Sequence, residues 1–254
     1  SNEWLPLTEL WVNGVDILDP SATLPTGVSY KDGVLTLKDV TIDSVSDSVS
    51  DSAPPFGIYS DRALTIVLEG QNFIAGEDIE CGICLNDGTL TLSGDGSLSV
   101  AGKEVGIFAY AGVTVENSVS ELIVSGASRA FSTYNGAPIT IGGKNYDPYD
   151  DLYQLVTVKK GTLVSNVSLP TQLWVNGVNI LTNPGDAPKG VSYDAAMGVL
   201  TLNGVTIDTA SDSSSDSGIY ANNALTIVLE GQNSIAGEGI ECGICLNDGT
   251  LTLS

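Results

Sequence analysis

The sequence predicts an all-β chain, a right-handed parallel β-helix (solenoid) with N-terminal β-hairpin caps, tandemly duplicated. Three observations carry this. The stretch Gly57 to Ser93 returns as Gly218 to Ser254 with only Ser60/Ala221, Asp61/Asn222, Arg62/Asn223, Phe73/Ser234 and Asp78/Gly239 changed. Inside it runs a shorter period of about 24 residues: Gly57-Ile58-Tyr59, Gly82-Ile83-Cys84, Gly106-Ile107-Phe108 and Ala130-Phe131-Ser132 open successive repeats. Between these openings lie short strands with apolar residues at every second position, separated by Gly, Asn and Asp at corners. One such coil cannot shelter its inner face, but coils stacked at about 4.8 Å share a continuous interior.

The first module is read as 1–164, with a hairpin cap at 8–43, coils at 57–141 and a C-terminal cap at 142–164. Leu10-Trp11-Val12 and Val15-Asp16-Ile17-Leu18 flank Asn13-Gly14, a strong hairpin signal. Val28-Ser29-Tyr30 and Val34-Leu35-Thr36-Leu37 flank Lys31-Asp32-Gly33 in the same way. The second copy spaces Tyr193 and Gly198 wider than Tyr30 and Gly33, as a solvent-facing turn tolerates. Leu24-Pro25-Thr26-Gly27 falls short of a sortase signal by the residue between Pro and Thr and reads as a turn. The run SVSDSVSDSAPPF (44–56), shorter in its second copy TASDSSSDS (209–217), lacks the fixed acid spacing of a calcium loop and reads as a solvated loop.

Each coil supplies three strands. The inward columns are expected to include Ile58/Ile83/Ile107/Phe131 and Leu64/Leu90/Val113/Ile139. A leucine-rich repeat fits worse, with no helix-competent half, and paired β-sandwiches give no reason for the short period. Residues 142–164 leave the period and read as a cap over strand edges that would otherwise stand unpaired. Residues 165–171, with Pro170, read as a linker, and 172–254 as a second, truncated module.

Composition narrows function by exclusion. Lys and Arg total 9 against 31 acids, a net charge of −22, which repels phosphate backbones and excludes nucleic acid as a natural partner. No apolar run is long enough to span a bilayer, so membrane insertion is not expected. No signal peptide opens the chain; Ser1-Asn2 reads as a remnant of cloning, which leaves room for an export signal upstream. The cysteines form two Cys-Gly-Ile-Cys copies, Cys81/Cys84 and Cys242/Cys245. They lie at matching positions of a duplication and so predict two separate sites, read as thiol pairs or local disulfides, with no metal assigned.

Candidate ligand contacts are outward aromatic residues on consecutive coils, where rings could stack on sugars. Tyr59 and Phe108 fall in one outward column, and Tyr110 and Tyr134 in a corner column one coil apart. The competing reading is that such ladders cover the edge of the core. The densest acidic corner, Glu77, Asp78 and Glu80, is the candidate site for a surface calcium ion. An enzyme is not expected: His is absent, Arg62 and Arg129 are the only arginines, and inward acid pairs do not recur on adjacent coils.

In LWVNGVDIL (10–18), GVLTL (33–37), GIYSDRALTIVLEGQN (57–72) and GTLTLSGDGSLSVAG (88–102), with their second-unit counterparts, the chain resembles secreted, surface-associated repeat proteins of gut and other Gram-positive bacteria. These are labelled carbohydrate-binding-domain or pectate-lyase-like β-helix proteins. The resemblance covers most of the chain and implies an extracellular, cell-surface location and a polysaccharide or host glycan as ligand. The expected function is a non-catalytic adhesin or glycan-binding module. A structural spacer and a calcium-dependent polysaccharide lyase are the alternatives. Scaffold residues carry most of the resemblance, and a fold does not by itself fix an activity.

Overall fold

The computed structural model describes residues 7–45, 55–211 and 216–254. The run read as a solvated loop therefore lies mostly outside the described residues in the first copy and partly outside them in the second. The chain forms two compact units, 1–166 and 167–254. Among the described residues no helix is long and apolar enough to cross a membrane.

The first unit is a parallel β-helix with three faces. Its first face stacks Phe56–Ser60, Cys81–Leu85, Val105–Ala109 and Arg129–Thr133, all parallel. The second stacks Val34–Lys38, Leu64–Glu69, Leu90–Gly94, Val113–Val115 and Ile139–Ile141. The third stacks Thr41–Ile42, Gln71–Ile74, Ser97–Gly102 and Glu121–Gly126. Both expected columns are present in register, Ile58↔Ile83↔Ile107↔Phe131 and Leu64↔Leu90↔Val113↔Ile139. All eight side chains belong to one buried cluster.

The helix begins earlier than the sequence suggests. Val34–Lys38 and Thr41–Ile42, read above as part of a hairpin cap, pair in parallel with the next coil and form a coil of their own. The alternation Leu35, Leu37 is the same whether the neighbouring strand runs parallel or antiparallel, so periodicity alone does not separate cap from coil. What remains of the cap is antiparallel. Leu10–Val12 closes the first face against Phe56–Ser60, and Val28–Lys31 closes the second against Val34–Lys38. Their turns place Asn13-Gly14 and Asp32-Gly33 at positive φ, as two-residue hairpin turns require.

At the other end, Lys144–Tyr146 folds back antiparallel on Ile139–Ile141, and Leu155–Lys159 lies antiparallel on Glu121–Gly126. Antiparallel strands therefore end the parallel stack on two faces at each end, which covers ladder groups that would recruit another strand. Thr162–Val167 joins the third-face sheet and takes up the first residues read as linker.

The first-face strands have a corner that breaks simple alternation. Ladder pairs fall on Phe56↔Cys81, Ile58↔Ile83, Tyr59↔Cys84 and Ser60↔Leu85 and pass over Gly57 and Gly82. A Cβ on Gly57, Gly82 or Gly106 would lie 2.6, 2.2 or 2.4 Å from Ile74, Val100 or Val124, all core side chains of the third face. Glycine recurs there because the backbone itself packs against the core. With the glycine and the following Ile both turned inward, the residue before the glycine and the one after the Ile share the outer side.

The second unit repeats this plan over fewer coils. Ser217–Ala221 and Cys242–Leu246 form its first face, with Leu173–Val175 antiparallel at one edge. Val199–Asn203, Leu225–Glu230 and Leu251–Leu253 form its second, and Thr206–Ile207 with Ser234–Ile235 its third.

Candidate functional site

Tyr110 and Tyr134 follow directly on the first-face strands Val105–Ala109 and Arg129–Thr133, at the corner that leads to the second face. Because Ala109 and Thr133 are ladder partners, the next residues stand one coil apart, and the Tyr134 amide donates to the Tyr110 carbonyl at 3.2 Å. The rings stack with centroids 4.5 Å apart and planes 9° from parallel. Both are exposed, at 39% and 51%. Each ring thus hides one face of the other, while both residues remain exposed to solvent.

The turn beneath Tyr134 is firmly tied. Tyr134–Gly136 makes one 3-10 turn with Asn135 at φ 52, and the Thr133 hydroxyl donates to the Ala137 carbonyl at 2.8 Å. Tyr149, from the cap loop, reaches in and donates its hydroxyl to the Thr133 carbonyl at 2.5 Å. Arg129 lies 4.7 Å over the Tyr149 ring and donates to the carbonyls of Pro148 and Tyr149. Asp147 holds the loop turn by accepting from the Tyr149 amide at 2.7 Å. Tyr153, 47% exposed, accepts from the Ala130 amide through its own carbonyl. The cap loop was read above as turn-rich cover; its docking through Arg129 was not visible, because the partners are two carbonyls and a ring face with no pattern in sequence.

The neighbouring second face is flat and mostly uncharged on its outer side. Thr65, Thr91, Thr114 and Thr140 stand in register on four successive coils. Threonine suits such a position, since its β-branch favours the strand and its hydroxyl tolerates water.

Tyr59 and Phe108 do lie in one column, Tyr59↔Cys84↔Phe108, next to Trp11 across the antiparallel edge. Tyr59 is nonetheless 7% exposed, which corrects the expectation that it is open to a ligand. The cause is the glycine corner: Phe56 is brought to the same side and stacks on Tyr59 with centroids 4.6 Å apart. In the second unit Ser217 stands where Phe56 does, and its tyrosine, Tyr220, is only half-buried. Phe108 is half-buried as well.

Glu77, Asp78 and Glu80 do not converge. Ile79, set between Asp78 and Glu80, is fully buried, whereas Glu77 and Asp78 are exposed and Glu80 is half-buried. Among the described residues no three acid, Cys or His side chains gather closely enough to hold a metal ion, so the calcium expectation finds no cluster there. Of the arginines, Arg129 is committed to the cap and Arg62 pairs with Asp87 at 3.4 Å.

All four cysteines carry free thiols. Cys81 and Cys242 each direct Sγ at a nearby carbonyl, of Ile83 at 3.2 Å and Ile244 at 3.1 Å.

No protein-family model, no curated protein and no solved structure matches the chain.

Proposed function

We propose that the chain is a non-catalytic module of an exported bacterial surface protein that binds a neutral polysaccharide or host glycan at the Tyr110–Tyr134 corner. One observation carries this reading: two tyrosines, 39% and 51% exposed, are stacked face to face at a β-helix corner. Pre-ordered aromatic side chains lose little entropy on binding and offer both an apolar face and a hydroxyl. Thr114 lies on the second-face strand that follows the corner, and the hydroxyl of its ladder partner Thr140 donates to Asn145 Oδ1 at 2.8 Å. The net charge of −22 favours an uncharged ligand over an acidic one.

The test is a glycan array followed by calorimetry on the full chain. Binding of a neutral glycan, weakened tenfold or more in Tyr110→Ala and Tyr134→Ala, is the expected outcome. No binding to any glycan would leave the spacer reading, and unsaturated product released from a pectin-like substrate would point to the lyase reading instead.

A further inference from the structure

The Cys-Gly-Ile-Cys segments take no part in the tyrosine stack, and the fold gives them a shared geometry. In a plain strand, residues three apart face opposite sides. Here the glycine corner puts them on one side, as the coil before shows: Phe56 and Tyr59, the ladder partners of Cys81 and Cys84, are in face-to-face contact. Cys81 and Cys84 occupy those two positions one coil further on, where the neighbouring Cys84 and burial hold the Cys81 thiol up and the neighbouring Cys81 draws Cys84 down from the usual thiol range. Cys81 is 4% exposed and Cys84 half-buried. The second unit repeats the arrangement at Cys242 and Cys245, both half-buried, with Cys242 raised by burial and by Cys245.

We propose that each Cys-Gly-Ile-Cys is a dithiol–disulfide couple that exchanges with low-molecular-weight disulfides and thiols, Cys84 and Cys245 reacting first and Cys81 and Cys242 resolving. The accessible Cys84 thiolate attacks one sulfur of a small disulfide RSSR, forms the mixed disulfide and expels RS⁻. Cys81, adjacent and shielded, gives its proton to water and attacks Cys84 Sγ, expelling the second RS⁻. The expelled thiolates take up the two protons lost by the cysteines. The balance is two protein thiols plus RSSR going to one protein disulfide plus two RSH, a two-electron oxidation of the pair. Gly82 serves the couple by allowing the bend that brings the sulfurs to one side; any side chain there would meet Val100 and the Gly106 carbonyl.

The test uses the reduced 254-residue chain in glutathione buffers of rising oxidised fraction, quenched by alkylation and mapped by mass spectrometry without reduction. The expected result is two disulfides, Cys81–Cys84 and Cys242–Cys245, each pair losing two hydrogen atoms, carrying no glutathione and returning to thiols with dithiothreitol. The more accessible Cys242/Cys245 pair closes at least several-fold faster. With Cys242 and Cys245 replaced by serine, Cys81→Ser stops at a glutathione adduct on Cys84, whereas Cys84→Ser leaves Cys81 almost unmodified. Stable glutathione adducts on the unaltered pairs, disulfides between chains or between the two pairs, or thiols that persist in fully oxidised glutathione would each overturn the proposal.

Discussion

Gly82 lies so close beneath Val100 that a Cβ added to it would be 2.2 Å from Val100 Cγ1 and 2.6 Å from the Gly106 carbonyl oxygen. Its counterpart Gly243, in an identical local sequence, has as its nearest obstacle Ile235 Cγ2 at 3.9 Å. Gly82→Ala is therefore expected to destabilise the first unit by about 1–3 kcal/mol through overpacking. Gly243→Ala, at a φ outside the left-handed region, is expected to be neutral or stabilising by up to about 1 kcal/mol. Hydrogen exchange measured separately over each unit checks both; equal effects at the two sites would refute the close-approach argument.

Asn72 is 2% exposed and spends its whole amide on backbone. Its Oδ1 accepts from the Val40 amide at 3.0 Å, and its Nδ2 donates to the carbonyls of Glu69 and Ser97 at 3.1 Å, which ties three successive coils at one corner. Asn72→Ala takes the acceptor from the buried Val40 amide and one donor each from the Glu69 and Ser97 carbonyls, and is expected to cost about 1–3 kcal/mol. Asn233 repeats the bonds to Val205 and Glu230 but donates to the Leu202 carbonyl where Asn72 reaches Ser97, and it is half-buried, so water replaces the lost partners and Asn233→Ala costs less. Urea unfolding of the two variants distinguishes them.

Tyr193, paired with Leu200, packs against the core of the second unit, and burial first, then Asp194, raises its hydroxyl well above the ordinary value of 10.0. The neutral phenol is the form the fold accommodates. Its contribution is thus complete below about pH 10 and is lost as the pH climbs from there toward the raised folded-state value. Urea midpoints between about pH 8 and 12 should fall more steeply for the unaltered chain than for Tyr193→Phe. Parallel pH profiles would show that Tyr193 carries none of the alkaline loss.

The Tyr110–Tyr134 stack stands outside the core, so Tyr134→Ala is expected to cost only about 0.5–1.5 kcal/mol, the value of an aromatic pair, and to leave the circular dichroism spectrum unchanged. A larger loss would mean that the pair braces the last coil, and would weaken its use as a binding probe.

Much of the fold is legible along the chain because a β-helix repeats its constraints. Ile58, Ile83 and Ile107 declare their column by spacing, and the Gly before each declares a place where no side chain fits. Asn13 is legible as a turn residue, but its second task is not: its Oδ1 accepts from the amides of Asp43 and Ser44, some thirty residues on. Tyr59 was misjudged for a similar reason. A period of two says which way a strand residue points, but not that the corner turns Phe56 onto the same side. The acidic trio Glu77, Asp78 and Glu80 is dense in sequence, yet among the described residues no group of acids could hold a metal ion, and the Ile79 set within the trio is fully buried. Arg129 gave no signal at all, because a ring face and two carbonyls become its partners only when the cap folds back.

By itself the sequence determined the repeat, the residues that face inward and the corners between strands, because each of these depends on spacing that the chain carries locally. Tertiary structure alone decided what those residues experience. Tyr59, outward by spacing, is 7% exposed because Phe56 stacks on it, whereas Tyr110 and Tyr134 stay 39% and 51% exposed. Spacing places a side chain on a face of the solenoid, but what covers it there comes from the corner geometry and from the coils packed against it, which bring together residues that no local pattern relates.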